Sequence, residues 1–191
     1  MSRLAVVTGV PGVGKSTVVK LALERLKEVG LEYELINYGD VMLEIAREEV
    51  GVKDRDEMRK IKYEIYRRIQ EGAAERIANL AKEKPVLVDT HCTVKKPEGY
   101  FPGLPKWVLE RLNPRVLIIV EASPEEIAKR RSRDASRRRD EELSEEISEH
   151  QQMNRAAAMA YAMMTGATVK IIKNREGRVD EAADGMVKAL R

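Results

Sequence analysis

Aromatic residues make up only 4% of this 191-residue chain, which holds one tryptophan, one phenylalanine and one cysteine. So few rings disfavour a single-stranded nucleic-acid surface, which interleaves stacking side chains with cations. Cys92 has no second cysteine to form an internal disulfide with, in keeping with a reducing cytoplasm. No apolar run approaches the ~20 residues of a membrane span. The N-terminal apolar segment is too short for a secretory leader and carries Gly and Lys where a leader would not. Cytoplasmic location, with no membrane and no nucleic acid among the partners, is the expectation. Charge of one sign is not in excess either: 35 Lys and Arg face 32 Asp and Glu, a net of +3. The field of the whole molecule is therefore a weak lure for polyanions.

What is present reads as a globular α/β domain, 43% hydrophobic and 35% charged. Apolar, β-rich runs at 3–8, 33–37, 85–89, 115–120 and 168–172 read as strands. Helical spacing recurs between them, at 16–29, 41–50, 54–82, about 105–112, about 143–164 and from about Asp180. Ser123-Pro124-Glu125-Glu126 has the cap, N1 proline and N3 glutamate of another helix start. Residues 90–105, rich in Gly and Pro, read as a long ordered loop. Alternation from end to end implies a parallel sheet covered on both faces. The expected fold is a three-layer α/β domain with a five-stranded parallel sheet, carrying polar insertions at about 38–70 and 130–142.

The strongest chemical signal is Gly9-Val10-Pro11-Gly12-Val13-Gly14-Lys15-Ser16, followed by Thr17. It matches GxxxxGK[ST] and lies after an apolar strand at the start of a helix, where such a loop must lie. Its glycines let successive N–H groups turn toward a phosphate, and the helix N-terminus adds partial positive charge. Lys15 would reach the β- and γ-phosphates of a nucleotide, and the Ser16 hydroxyl would ligate Mg2+. Asp89 ends the third strand, a position for a second Mg2+ ligand.

A phosphate loop alone leaves many reactions open. The guanine-reading NKxD tetrapeptide is absent; the nearest asparagines are Asn113-Pro114 and Asn174-Arg175-Glu176. A motor or helicase generally needs a longer chain, so small kinases are favoured. A kinase whose acceptor is itself phosphorylated needs cations beyond the loop, and arginine serves through its planar, permanently charged fork. Arg130 to Glu142, RRSRDASRRRDEE, packs six arginines with four acids. It reads as an arginine-bearing lid that also excludes water. Arg55 and Arg59, four residues apart on one helix face, and Lys95 with Lys96 supply a second phosphate pocket. A kinase for another small acceptor, or a nucleotide-dependent nucleic-acid-binding protein using the arginine run, stays open at this point.

Together TGVPGVGKST (8–17), INYGDVM (36–42), DRDEMRK (54–60), VDTHCTVKKPEGYFPGLP (88–105), the arginine stretch and EHQQMNRAAAMAYAMMTGATVKII (149–172) resemble archaeal-type adenylate kinase over nearly the whole chain. The resemblance implies Mg2+-dependent, reversible phosphoryl transfer from ATP to AMP giving two ADP. It also implies a three-layer P-loop NTPase fold of the nucleoside monophosphate kinase type, with a five-stranded parallel sheet flanked by helices, an AMP-binding insertion, a lid and a homotrimer. Gly9 to Thr17 then bind ATP. Tyr38-Gly39 lies at the AMP site, with Tyr38 standing where the wider group has threonine, and Arg55 and Arg59 replace an arginine missing after that turn. Lys95 contacts the AMP phosphate and His91 the adenine. The lid pattern RRxxDxxRxRD fits Arg130, Arg131, Asp134, Arg137, Arg139 and Asp140. It selects Arg130, Arg137 and Arg139 with Lys15 as catalytic cations and leaves Arg133 and Arg138 as bystanders. The lid is short and lacks cysteines, so the structural zinc of some relatives is not expected.

Overall fold

Strand β1 (Leu4–Thr8) is buried along its whole length, as a parallel strand covered on both faces must be. Its side chains alternate between two cores: Leu4 and Val6 enter one, Ala5 and Val7 the other. A computed structural model describes residues 4–133 and 144–191. After β1 come α1 (Lys15–Glu28), β2 (Glu34–Asn37), α2 (Tyr38–Val50), α3 (Arg55–Met58) and α4 (Tyr63–Glu83). Then follow β3 (Val86–Asp89), β4 (Thr93–Lys96), β5 (Gly99–Pro102), α5 (Lys106–Leu112), β6 (Val116–Glu121), α6 (Pro124–Arg133), α7 (Ser144–Thr165), β7 (Thr168–Lys173) and α8 (Val179–Leu190). The main sheet runs β2-β3-β1-β6-β7, with every pairing parallel. One core lies against α2, α4, α5 and α7, the other against α1 and α8. Among the described residues no helix is long and apolar enough to cross a membrane.

The central strand β1 has β3 on one side and β6 on the other, so the carboxyl ends of these strands open a crevice where such sheets bind ligands. The capping box before α6 forms as expected. Ser123 Oγ accepts from the Glu126 amide at 3.2 Å, and Glu126 Oε2 accepts from the Ser123 amide at 3.0 Å.

Three expectations are corrected. The loop at 90–105 contains an antiparallel hairpin, β4 with β5, turning at Pro97-Glu98. Gly103 follows it, and any Cβ there would collide with the His91 carbonyl. The helix expected over 54–82 is two helices, with the break at 59–62. Helix α2 starts at Tyr38 rather than 41, because the Asn37 side chain caps it by accepting from the Asp40 amide at 3.2 Å.

The hairpin is tied to the core just past Asp89. Thr8 Oγ1 accepts from the Cys92 amide at 2.7 Å, and buried Asn154 Oδ1 accepts from the Thr93 amide and hydroxyl at 3.1 and 2.6 Å. Tyr161 donates to the Cys92 carbonyl at 2.9 Å. Burial pushes the Cys92 thiol up to about 12, which keeps it protonated and inert.

Candidate active site

The loop between β1 and α1 is anchored by Val10 and Val13, both buried in the core. Gly9 packs on β6, where a Cβ would lie 2.6 Å from the Val120 carbonyl oxygen. Gly12 and Gly14 have φ of 91° and 81°, the left-handed region that a side chain resists. Gly14 caps α1 without any side-chain hydrogen bond, and the first turn of α1 carries no acid. The positive end of the helix thus has neither a side-chain cap nor a first-turn acid, which suits an anion site. Ser16 and Thr17 lie exposed in that first turn.

Lys15 donates to Asp89 Oδ1, across from the end of β3, and both side chains are largely buried. Burial pushes the Lys15 ammonium down to about 8, and the contact with Asp89 opposes that fall. The charge that would meet a nucleotide is held in place by the carboxylate that would face its metal. One consequence is a pH dependence. Kcat/KM for MgATP, which reports the free enzyme, should fall as pH rises through about 8 or somewhat above, because Lys15 loses its charge. Kcat should lack that limb, since bound phosphates keep the ammonium protonated. Initial rates from about pH 6 to 10 check this, and a kcat/KM flat to the top of the range contradicts it.

The rear of the loop is held from outside. Arg131 Nε and Nη2 donate to the Pro11 carbonyl at 3.0 and 2.7 Å. Arg130 Nη1 donates to the Val13 carbonyl at 3.0 Å and its Nη2 to the Asn174 carbonyl at 3.2 Å. Buried Asn174 donates from Nδ2 to the same Val13 oxygen at 2.7 Å, and its amide donates to the Glu121 carbonyl at 2.7 Å. Arg130, expected as a phosphate contact, is therefore spent on protein carbonyls in this arrangement.

Beside the loop, Glu121 is buried and receives Arg155 in a two-pronged pair at 2.7 and 2.6 Å, with Lys173 at 2.5 Å. Burial pushes this carboxyl up, but the hydrogen bonds and charges of Arg155 and Lys173 outweigh it and hold it below the ordinary range.

On the other side of Asp89, Asn37 of β2 is its register partner. Arg55 Nη2 donates to Asn37 Oδ1 at 3.0 Å and to Asp40 Oδ1 at 2.7 Å, over Gly39, where a Cβ would be 3.2 Å away. An arginine is thus brought to the strand ends next to Asp89. Tyr38 is corrected: its ring is in the core and its hydroxyl donates to the Gln70 carbonyl at 2.7 Å, so the side chain does not face the crevice. Arg59 is exposed and pairs with Asp56 at 2.9 Å. Lys95 on β4 pairs with Glu146 at 3.2 Å, and His91 is exposed on the segment leading into the hairpin. Arg137, Arg139, Arg138, Asp134 and Asp140 lie outside the described residues.

Sequence reasoning missed Asn174 and the loop-bracing role of Arg130 and Arg131. The available signal for Asn174 was its place as the first residue beyond β7, at the carboxyl edge of the sheet where sites gather.

The sequence profile of the AAA domain matches residues 8–148. The chain is 54% identical over 193 residues to an adenylate kinase of Methanopyrus kandleri, covering 100% of this chain and 99% of that one. It is 52% identical over 190 residues to an adenylate kinase of Methanocaldococcus jannaschii, again covering 100% and 99%. The chain belongs to the adenylate kinase family. In fold the chain is similar to the solved structure of a shikimate kinase of Bacteroides thetaiotaomicron, 15% identical with a TM-score of 0.55, covering 100% of this chain and 99% of that one. An unliganded sugar kinase of Janibacter sp. is 16% identical with a TM-score of 0.54, covering 100% and 95%. Both support the sheet and loop arrangement and nothing finer. The chain is a phosphotransferase of this family, built on a P-loop kinase fold.

Proposed function

We propose that this chain reversibly transfers the terminal phosphoryl group of ATP to AMP, giving two ADP. The observation that carries the reading is the Lys15–Asp89 pair, set between the N-terminus of α1 and Arg55 of α3, which bonds to Asn37 at the end of β2. It offers one place for a donor triphosphate and, beside it, a cation for an acceptor phosphate. Full-length identity of about half to curated adenylate kinases points to the same acceptor.

The chemistry asks for no protein nucleophile. Gly9 to Thr17 hold the ATP phosphates, with Lys15 leaving Asp89 for the β- and γ-oxygens. Arg55 and Lys95 hold the AMP phosphate in line, and lid arginines Arg137 and Arg139 offset charge on the transferring group. Residues 38–70 form the acceptor insertion and 130–142 the lid. Ser16 and Asp89 offer hard oxygen donors suited to Mg2+, which keeps substrate oxygens and waters as its other ligands and would neutralise phosphate charge. Among the described residues no cluster of three or more His, Cys, Asp or Glu forms a metal cage.

The working form is a cytoplasmic homotrimer. Self-association is supported by the apolar side chains exposed on α7 and on β7, the edge strand: Met159, Met163, Met164 and Ile171. An acceptor panel tests the function. With ATP and Mg2+, AMP should be phosphorylated at least ~100-fold faster, by kcat/KM, than CMP, UMP or GMP. Equal use of all four, or preference for a pyrimidine, would assign the chain to another acceptor.

A further inference from the structure

We propose that Asn174 is a positioning residue for ATP, holding the Val13–Gly14 peptide so that its N–H faces the phosphates; this rests on the reading of residues 9–17 as the ATP loop. In a trans peptide the C=O and N–H point in opposite directions. A donor that fixes the Val13 oxygen at the back of the loop therefore turns the Gly14 N–H toward the front. Asn174 Nδ2 is such a donor at 2.7 Å.

Its own placement is rigid. Asn174 is 5% exposed, its amide is bound to the end of β6 through the Glu121 carbonyl, and its carbonyl accepts from Arg130. Glu121 is in turn locked by Arg155 and Lys173. The loop is thus referenced to β6 and β7, strands on the side away from the acceptor insertion.

The residue type is constrained as well. The position needs a short donor without charge. Aspartate would set a carboxylate against the Val13 oxygen and near the incoming phosphates, and alanine would leave the carbonyl with Arg130 alone. Gly14 fits the same design, since a Cβ there would collide with Asn174 Nδ2. Arg131 does the corresponding work on the Pro11–Gly12 peptide, so alternate carbonyls of the loop are pulled back.

The test compares Asn174→Ala and Asn174→Asp with wild type by steady-state kinetics in both substrates, with thermal unfolding of the ligand-free proteins alongside. The KM for ATP should rise by about tenfold in Asn174→Ala and more in Asn174→Asp, while the KM for AMP stays within ~twofold. A role in stability alone would lower the unfolding temperature and the active fraction without separating the two KM values. The proposal is overturned if the KM for ATP stays within ~twofold of wild type in a folded variant, or if both KM values move together. Asn174→Asp keeps the shape of the side chain, so its two KM values decide the matter should Asn174→Ala not fold. Lys15→Ala is the control. If it too leaves ATP use unchanged, the loop assignment itself fails; if only the Asn174 variants are neutral, this inference alone fails.

Discussion

Lys15→Ala should lower turnover by about a thousandfold, equivalent to about 4 kcal/mol of transition-state stabilisation, while the chain remains folded. The size follows from where the ammonium sits. It is largely buried beside the end of β3, with Asp89 as its partner, so it is preorganised and poorly screened by water. Once the nucleotide has drawn Lys15 from Asp89 onto its phosphate oxygens, charge that develops on a transferring phosphoryl group would meet the ammonium at short range. The fold should tolerate the change, because the ammonium is not what anchors the loop. The loop is anchored independently by Val10, Val13 and the braces on Pro11 and Val13. Near-native turnover in Lys15→Ala, with unchanged circular dichroism, would remove Lys15 from the mechanism.

The second large effect is expected in the lid. Arg137→Ala and Arg139→Ala should each cost ~100-fold or more in kcat, whereas Arg133→Ala and Arg138→Ala should stay within a few-fold of wild type. The argument is one of spacing. Arg130 and Arg131 brace the phosphate loop from behind, so cations for the transferring group must come from further along the stretch. The pattern RRxxDxxRxRD singles out Arg137 and Arg139 among the rest. Equal losses across the four variants would show that the stretch acts through bulk charge, which high salt would then mimic.

Most of the fold was legible because buried parallel strands announce themselves. LAVVT, VLVD and VLIIVE are short apolar runs with almost every side chain inside. The β4–β5 hairpin was not legible, since its strands carry Lys95, Lys96, Gly99 and Pro102 and stand largely outside the core. What fixes them is a set of long-range bonds to Thr8 and Asn154, which no local pattern encodes. The break between α3 and α4 was hidden for a different reason. Ile61 keeps the helical rhythm of Ile65 and Ile69 and packs on the same core, although the backbone around it is not helical.

The site divides in the same way. The placement of Gly9 to Ser16 between β1 and α1 was readable because a phosphate loop demands those residue types at that spacing after a strand, and Asp89 does end β3 beside Lys15. Tyr38 was misread because a motif fixes a position along the chain but not the direction of a side chain; its phenol turned into the core. The bracing roles of Asn174, Arg130 and Arg131 went unread, with only position at the sheet edge as a signal for Asn174, because these side chains bind backbone carbonyls. Such contacts leave no complementary side-chain signal in the sequence.

The central claim is the exchange of a phosphoryl group between two adenine nucleotides bound side by side, and the reverse reaction tests it most directly. Purified protein given ADP and Mg2+ alone should produce ATP and AMP in equal amounts, with no release of inorganic phosphate. Formation of AMP and phosphate without ATP, or no conversion of ADP at all, would contradict the account.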